Sequence, residues 1–249
     1  MFNKFLTPLK KAPILFLMAL TILACNEEVK LKFENQHIDK SSDAKISINY
    51  PKAIGTKNVS KKINDKIEHV IANEMNMADT PENDISISDA VSQFNQEYKS
   101  FKEDFDDSSQ KWEVKVDGEV VYESADVICV SLQTYIDTGG AHGNGKVTYL
   151  NFDPQTGALL TNKELINDMS EFKKIAKKAF KAHKEPQDKD ETTEDFFFGE
   201  EFQLPANIGF SDAGLVLLYN NYEIASYAQG ITKIILPYKD IKDQLKVTP

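Results

Sequence analysis

The stretch Tyr135–Gly145 reads Tyr-Ile-Asp-Thr-Gly-Gly-Ala-His-Gly-Asn-Gly and contains four glycines, one histidine and one aspartate. An apolar run from Val127 to Leu132 precedes it, and a second from Val147 to Phe152 follows it. Glycine reaches positive φ freely and lets backbone approach backbone, so the pattern predicts two strands joined by a shaped, glycine-rich connection. The segment Gly139–Gly143 is more particular than a generic hairpin loop requires.

Residues 1–24 have the pattern of a secretory signal peptide. Lys4, Lys10 and Lys11 precede an apolar run from Ile14 to Leu23. At about ten residues this run is shorter than the roughly 20 that a membrane-spanning helix needs. We therefore predict export and removal of the segment rather than a transmembrane helix.

The run ends Leu-Thr-Ile-Leu-Ala-Cys, with Cys25 at the predicted cleavage position. This ending resembles the lipobox of bacterial lipoproteins, in which the cysteine is diacylated with palmitate-type chains and becomes the mature N-terminus. An ordinary signal peptide with a chance cysteine is the alternative. Because paired acyl chains anchor stably, we predict a lipid-anchored cell-envelope protein, not a cytoplasmic one. The outer membrane or cell surface is favoured over the inner membrane, since Asn26-Glu27-Glu28 resembles the surface-export signal of lipoproteins in Bacteroidota.

Cleavage before Cys25 removes three lysines and no acid, so the formal charge changes from −10 to −13. The chain contains no arginine, the side chain that grips phosphate in a bidentate manner. These features argue against nucleic-acid binding, although a genome poor in G and C would also deplete arginine. The acidic surface favours basic partners. Cys129 lies in an apolar run, which predicts a small core residue rather than a reactive thiol.

We predict a signal peptide over residues 1–24, a tether over 25–42, an N-terminal α+β unit over 43–123 and a C-terminal α+β unit over 124–249. In the first unit, apolar side chains alternate from Ala44 to Tyr50, which predicts a strand that ends at Pro51. Two helices follow, because apolar residues recur at helical spacing after Asn58 and again after Ser86. The Ser86 hydroxyl is placed to cap the second helix.

The second unit carries strands on both sides of the glycine stretch, then a helix after Ser170, then three further strands. Lysines cover one side of that helix over residues 173–184. A solvated face is the default interpretation of this charge, and a binding patch is the alternative. Strands and helices without regular βαβ alternation indicate an α+β fold. We expect two small mixed α/β units with mainly antiparallel sheets and helices packed on one face.

Three places in the second unit share one pattern. They are Tyr135 with Thr138–Gly143, then Asn151–Asp153 with Thr156-Gly157, then Tyr222–Ala225 with Tyr227 and Gly230. Together they resemble the extracytoplasmic C-terminal domain shared by the anti-sigma factor RsiV and the deacetylase PdaC. Residues 44–122 resemble the PdaC-type domain that often precedes it. The resemblance covers about residues 43–246 and implies a mixed α+β fold in two small parts.

The resemblance also implies a class of partner. In RsiV the domain is implied to be a sensor that binds lysozyme, a basic protein, whereas catalysis in PdaC belongs to a separate deacetylase domain. We expect no cytoplasmic sigma-binding segment here, and no catalytic domain after Leu245. Neither anti-sigma activity nor deacetylation is therefore expected of this chain.

His142, Asp137 and Glu223 could in principle form a metal or acid–base site. The sequence has no His-Glu-x-x-His, Gly-x-Ser-x-Gly, Cys-x-x-Cys or P-loop motif. A lone histidine in a glycine turn more often holds the turn through bonds to backbone carbonyls, so we expect no catalytic residue, no metal and no cofactor. The remaining histidines are predicted in the tether (His37) or on helix surfaces (His69, His183).

The leading hypothesis is a non-enzymatic, lipid-anchored envelope protein whose domain binds an extracytoplasmic partner. That partner is a basic protein such as a lysozyme-like muramidase, or cell-wall glycan (peptidoglycan). One alternative is a hydrolase acting on peptidoglycan or another envelope polymer with His142 in its site, and another is a scaffold for other envelope proteins. The predicted ligand-binding residues are Tyr135, Asp137, Gly139, Gly140, His142, Asn144, Tyr222, Glu223 and Tyr227.

Overall fold

The structure is a computed structural model that describes residues 29–78, 80–184 and 196–249. The predicted signal peptide and the predicted lipidation site Cys25 lie outside the described residues. Within these ranges no helix combines the length and apolar character needed to span a membrane. The elements in chain order are β1 (Leu31–Lys40), β2 (Lys45–Gly55), α1 (Lys57–Glu74), α2 (Ile87–Asp104), β3 (Glu113–Glu123), β4 (Ile128–Asp137), β5 (Asn144–Phe152), α3 (Asn162–Leu165), α4 (Met169–Lys184), β6 (Asn207–Ser211), β7 (Gly214–Tyr219), β8 (Thr232–Leu236) and α5 (Tyr238–Ile241).

The strands form two sheets. One has the order β1-β2-β3-β4-β5, and the other has the order β6-β7-β8. Strands β2 and β3 run parallel, and the other hydrogen-bonded neighbours run antiparallel. Helices α1 and α2 form a first core with the five-stranded sheet, and α4 forms a second core with the three-stranded sheet. The predicted α+β fold is confirmed.

Strand β4 contributes to both cores, because successive side chains of a strand point to opposite faces. Ile128 and Val130 are buried in the first core, while Cys129 between them is buried in the second. Burial on both faces explains the unbroken apolar run in this part of the sequence. The five-stranded sheet therefore includes strands on both sides of the domain boundary that we predicted between residues 123 and 124. The boundary itself stays a prediction.

The helices of the first core follow the predicted periodicity. Helix α1 buries Val59, Ile63, Ile67 and Ile71, a stripe at helical spacing. The Ser86 hydroxyl accepts a hydrogen bond from the Asp89 backbone N–H at 3.1 Å and so caps α2, as expected. Among the described residues, the two cores and the apolar residues packed against them begin at Val29. A chain starting at residue 26 therefore contains every core residue that the structure describes.

The predicted tether over residues 25–42 is wrong for most of its length. Leu31–Lys40 forms β1, which pairs antiparallel with β2 from Leu31↔Gly55 to Lys40↔Ile46. As the edge strand, β1 leaves one side in water and carries charged side chains, which is typical of edges that avoid further pairing. The polar composition of this segment led us to predict a tether, although its apolar residues pack against the first core.

Two predicted element ends also differ. Strand β2 continues through Pro51 to Gly55, because its parallel register with β3 ends at Asn49↔Asp117 and leaves Pro51 to pair with β1 alone. Helix α4 begins at Met169. The Asp168 carboxylate, rather than the Ser170 hydroxyl, accepts the first free N–H groups, those of Ser170 at 2.9 Å and Glu171 at 3.0 Å.

Candidate functional site

The glycine loop, residues 138–143, connects β4 to β5 and is shaped by the last carboxylate of β4. Asp137 accepts a hydrogen bond from the Gly139 N–H at 2.9 Å, the side-chain turn that aspartate favours. Gly139 has φ +90, a conformation that glycine adopts freely. From outside the loop, the Gln110 amide donates to the Gly139 carbonyl at 2.7 Å. The loop is therefore held in one shape from both of its sides.

Gly143 lies against the ring of Tyr135, where no side chain would fit. A Cβ atom at this position would be 2.3 Å from both Cζ and Oη of Tyr135. Gly140 differs, since the nearest atom to a Cβ there is the His142 carbonyl oxygen at 3.8 Å. Close packing therefore demands glycine at position 143 but not at position 140.

The ring of His142 joins the glycine loop to the segment that follows β7. It stacks on Tyr227 with ring centroids 3.8 Å apart and an interplanar angle of 20°. Nδ1 lies 3.0 Å from the Gly143 carbonyl oxygen, and Nε2 lies 3.4 Å from the Tyr222 hydroxyl. The tautomer with hydrogen on Nδ1 satisfies both contacts, because it donates to the carbonyl and accepts from the phenol.

Tyr227 and Tyr222 lie in the segment between β7 and β8 and complete its connection to the glycine loop. The Tyr227 hydroxyl donates to the same Gly143 carbonyl at 3.2 Å, and its ring lies 5.6 Å from the ring of Tyr222. Tyr222 has φ +65 and is 55% exposed. A bulky residue in the left-handed region is strained, yet here the strained backbone places an aromatic ring at the surface.

Contacts connect five of the nine predicted binding residues, namely Tyr135, Asp137, His142, Tyr222 and Tyr227. Asn144 and Glu223 are exposed and adjoin this group in the chain, and we call the seven residues the junction surface. Tyr135 is 38% exposed, and its hydroxyl lies 3.4 Å from the Asp137 carboxylate. Partial desolvation, followed by the charges of Asp137 and Glu113, raises the pKa of Tyr135. Of the two remaining predicted residues, Gly139 gives the loop its turn with φ +90, and Gly140 lies in the same loop. The members of the junction surface are Tyr135, Asp137, His142, Asn144, Tyr222, Glu223 and Tyr227.

The sequence analysis did not identify two asparagines that hydrogen-bond to β5, one at the start of β6 and one directly after β7. Asn220 accepts from the Val147 N–H at 2.8 Å and donates to the Val147 carbonyl at 3.0 Å. Asn207 accepts from the Tyr149 N–H at 2.8 Å and also donates to the Val147 carbonyl, at 2.7 Å. These amides take the place of a neighbouring strand along the outer edge of β5. Their sequence signal is only an asparagine beside each strand end, which equally predicts a turn.

The geometry of His142 differs from that of the acid–base site considered as an alternative. Both ring nitrogens contact structural partners, the Gly143 carbonyl and the Tyr222 hydroxyl. The Asp137 carboxylate contacts Gly139 and Tyr135 instead. Across residues 29–78, 80–184 and 196–249, no group of three His, Cys, Asp or Glu side chains is arranged to hold a metal ion.

Comparison with protein families matches the chain in two places. Residues 38–145 match the family described as "Deacetylase PdaC", and residues 159–239 match the family described as "Protein of unknown function (DUF3298)". The α+β chain is thus similar to the PdaC family in its first part and to the DUF3298 family in its second. The predicted resemblance is confirmed in both parts. The glycine loop falls within the first match and Tyr222 and Tyr227 within the second, so the junction surface is built from both.

Solved structures of two DUF3298 proteins share the fold. The protein from Bacteroides fragilis superposes with a TM-score of 0.64 at 17% identity, over 89% of this chain and 96% of its own. The protein from Pseudomonas aeruginosa superposes with a TM-score of 0.59 at 17% identity, over the same shares. No curated protein matches the sequence.

Proposed function

We propose that the chain is a lipid-anchored envelope protein whose junction surface binds a basic extracytoplasmic protein of the muramidase class. The observation that carries this proposal is Tyr222, which is 55% exposed on a backbone with φ +65. Strained conformations persist where surrounding structure imposes them, and they concentrate at functional positions. Exposed tyrosines are enriched among the residues that dominate protein interfaces.

Charge supports a basic partner. Asp137 and Glu223 belong to the junction surface, and Glu113 is close enough to raise the pKa of Tyr135. The formal charge of the whole chain is −10. Complementary charge accelerates encounter and selects the partner. The resemblance to the RsiV domain, which is implied to bind the basic protein lysozyme, is the reason for choosing the muramidase class.

The test uses the chain from residue 26 with hen-type lysozyme and, separately, with insoluble peptidoglycan. We expect retention by lysozyme that weakens about tenfold or more between about 50 mM and about 300 mM salt, since exposed charges are screened over a few ångströms at high salt. Tyr222→Ala should weaken binding at least about tenfold, as truncation of an interface anchor does. The matched control is Phe198→Ala, because Phe198 is 65% exposed and lies outside the junction surface.

Each other outcome points elsewhere. Retention by peptidoglycan and not by lysozyme would assign the surface to glycan and overturn the basic-protein proposal. Equal loss of binding in the two variants would show that the junction surface is not the contact. Cleavage of peptidoglycan that disappears in His142→Ala at unchanged melting temperature would favour the hydrolase alternative.

The anchor is tested separately. Intact mass of the N-terminal peptide, recovered from membranes of the producing cells, should show acyl chains on Cys25, and Cys25→Ser should release the protein from the membrane fraction. Recovery of full-length protein from the cytosol with an unmodified Cys25 would refute the anchor and leave the binding proposal standing.

A further inference from the structure

Helix α4 presents a basic face opposite its buried one. Phe172, Ala176 and Phe180 are buried in the second core. Positions 174, 177, 178 and 181 follow the i, i+3, i+4, i+7 spacing that defines one side of a helix. All four are lysines, and together with Ala182 they line one surface groove of about 460 Å³. The groove is thus bordered mainly by ammonium groups and their aliphatic stems.

Three of these lysines have no acidic partner among the residues that the structure describes. Lys174 pairs with Glu171 at 2.8 Å, but among the described residues no carboxylate lies within 4.0 Å of Lys177, Lys178 or Lys181. Acids outnumber lysines 39 to 29 in this chain, so unpaired lysines on one face are not a result of scarce carboxylates. Like charges three and four residues apart destabilise a helix, and only those near its C-terminus are offset by the helix dipole.

An exposed aromatic ring belongs to the turn whose other residues lie near two of these lysines. Lys177 and Lys181 share a cavity of about 310 Å³ with Phe197 and Gly199, which Glu200 and Glu201 also line. Phe198, between Phe197 and Gly199 in the chain, is 65% exposed and has φ +53. Phe197 has φ +63 and is buried. A strained backbone thus holds one phenylalanine in the core and the next one out in solvent. Among the described residues, the groove of α4 is lined by lysines and no acid, whereas the cavity is lined by side chains of both signs.

We propose that the lysine face of α4, together with the exposed Phe198 in the turn that shares a cavity with Lys177 and Lys181, docks on the anionic headgroups of a lipid bilayer. Clustered lysines are attracted to anionic lipid within about one Debye length of the surface. An aromatic ring beside them inserts at the headgroup level, as in other interfacial helices. The contact requires neither the junction surface nor the lipid anchor. If Cys25 is acylated, this face sets which side of the protein faces the membrane.

The test measures co-sedimentation of the chain from residue 26 with phosphatidylcholine vesicles, with and without about 30% phosphatidylglycerol. We expect binding at about 50 mM salt only when the anionic lipid is present, with loss at about 300 mM salt. The variant K174Q/K177Q/K178Q/K181Q should bind at least about tenfold more weakly. The control K57Q/K61Q/K62Q/K66Q changes the same charge on α1 and should stay within about threefold of the parent.

Phe198→Ala should weaken vesicle binding about threefold or more, and Tyr222→Ala should leave it unchanged. Equal loss in the two lysine variants would show that only net charge matters and would overturn the proposal. Absence of vesicle binding by the parent chain would overturn it as well, as would retention by peptidoglycan that depends on the α4 lysines. Lysozyme binding by the α4 variant reports on the junction surface separately, so failure of one proposal is distinguishable from failure of the other.

Discussion

The imidazole of His142 lies nearly parallel to the phenol of Tyr227, with ring centroids 3.8 Å apart, and both residues hydrogen-bond the carbonyl of Gly143. One residue lies in the part that matches the PdaC family and the other in the part that matches DUF3298. A single backbone carbonyl and two stacked rings therefore hold the two halves of the junction surface together.

Replacing Gly143 by alanine should disrupt this connection. The added Cβ would lie 2.3 Å from the ring of Tyr135, so either the ring or the loop must move. We expect a loss of about 1–3 kcal/mol in the free energy of unfolding, as overpacking typically causes, together with loss of partner binding. Urea denaturation measures the first effect. Gly140→Ala is the matched control, because its Cβ has room, and equal destabilisation by both variants would contradict the packing argument.

The backbone strain at Tyr222 is measurable by comparing two truncations. Tyr222→Ala and Tyr222→Gly both remove the hydroxyl that contacts His142, and they differ in their tolerance of φ +65. The glycine variant should be more stable by about 0.5–1.5 kcal/mol, since the left-handed region is unfavourable for L-residues. An alanine variant as stable as the glycine variant would show that the position is not strained.

The hydrogen bonds from Asn207 and Asn220 to the outer edge of β5 should contribute measurably to the free energy of unfolding. Asn220→Ala leaves the part-buried N–H of Val147 without this partner, while the Val147 carbonyl loses one bond and keeps the one from Asn207. An N–H left unsatisfied away from water destabilises by about 1–3 kcal/mol. Asn221→Ala removes only one longer bond, 3.3 Å to the Gly145 carbonyl, and should have less effect. The midpoint of urea unfolding distinguishes them, and an equal shift for the two variants would argue against the edge-closing role.

His37 gives the β1 edge a pH dependence. Its Nδ1 lies 2.5 Å from the Asn49 amide oxygen, and its Nε2 contacts the Asp39 carboxylate. Because the charged ring donates to both, first Asn49 and then Asp39 raises the pKa of His37 above 6.5. The stabilising contribution is therefore complete below pH 6.5 and is lost as the pH rises through the folded-state value.

Asn49→Ala should lower the pKa of His37 in an NMR titration, and amide exchange of β1 should quicken as the pH rises through the folded-state pKa. Asn35→Ala, on the same strand but not bonded to the ring, is the control. A His37 that titrates identically in the parent and both variants would rule out the Asn49 amide oxygen as an acceptor that raises the pKa of His37.

Cys129 should be inert in the folded protein. The thiol is buried in the second core and accepts a hydrogen bond from the Phe210 N–H at 3.4 Å. Burial raises the pKa of Cys129 to about 12, so almost no thiolate, the reactive form, is present at pH 8. A chain from residue 26 contains this thiol alone. We expect no alkylation before denaturation and complete alkylation in urea, and fast reaction of the folded protein would contradict the buried position.

The spacing of apolar residues was sufficient to predict an element where that element buries one face. The stripe of α1 and the Ser86 cap of α2 were predicted because helical spacing and N-cap chemistry are local properties. β1 was missed for the opposite reason. An edge strand needs only one apolar side and carries charges on the other, so its composition resembles that of a tether.

The amino-acid sequence by itself determined the acidic charge, the helices, the glycine loop and the residues that mark the two matched families. These depend on side-chain type and on spacing over a few residues. Only the tertiary structure decided that His142 meets Tyr227, that asparagines close the edge of β5 and that β4 serves two cores. Such contacts join segments far apart in the chain, and the backbone preferences that act within a few residues carry no information about which distant segment will pack against them.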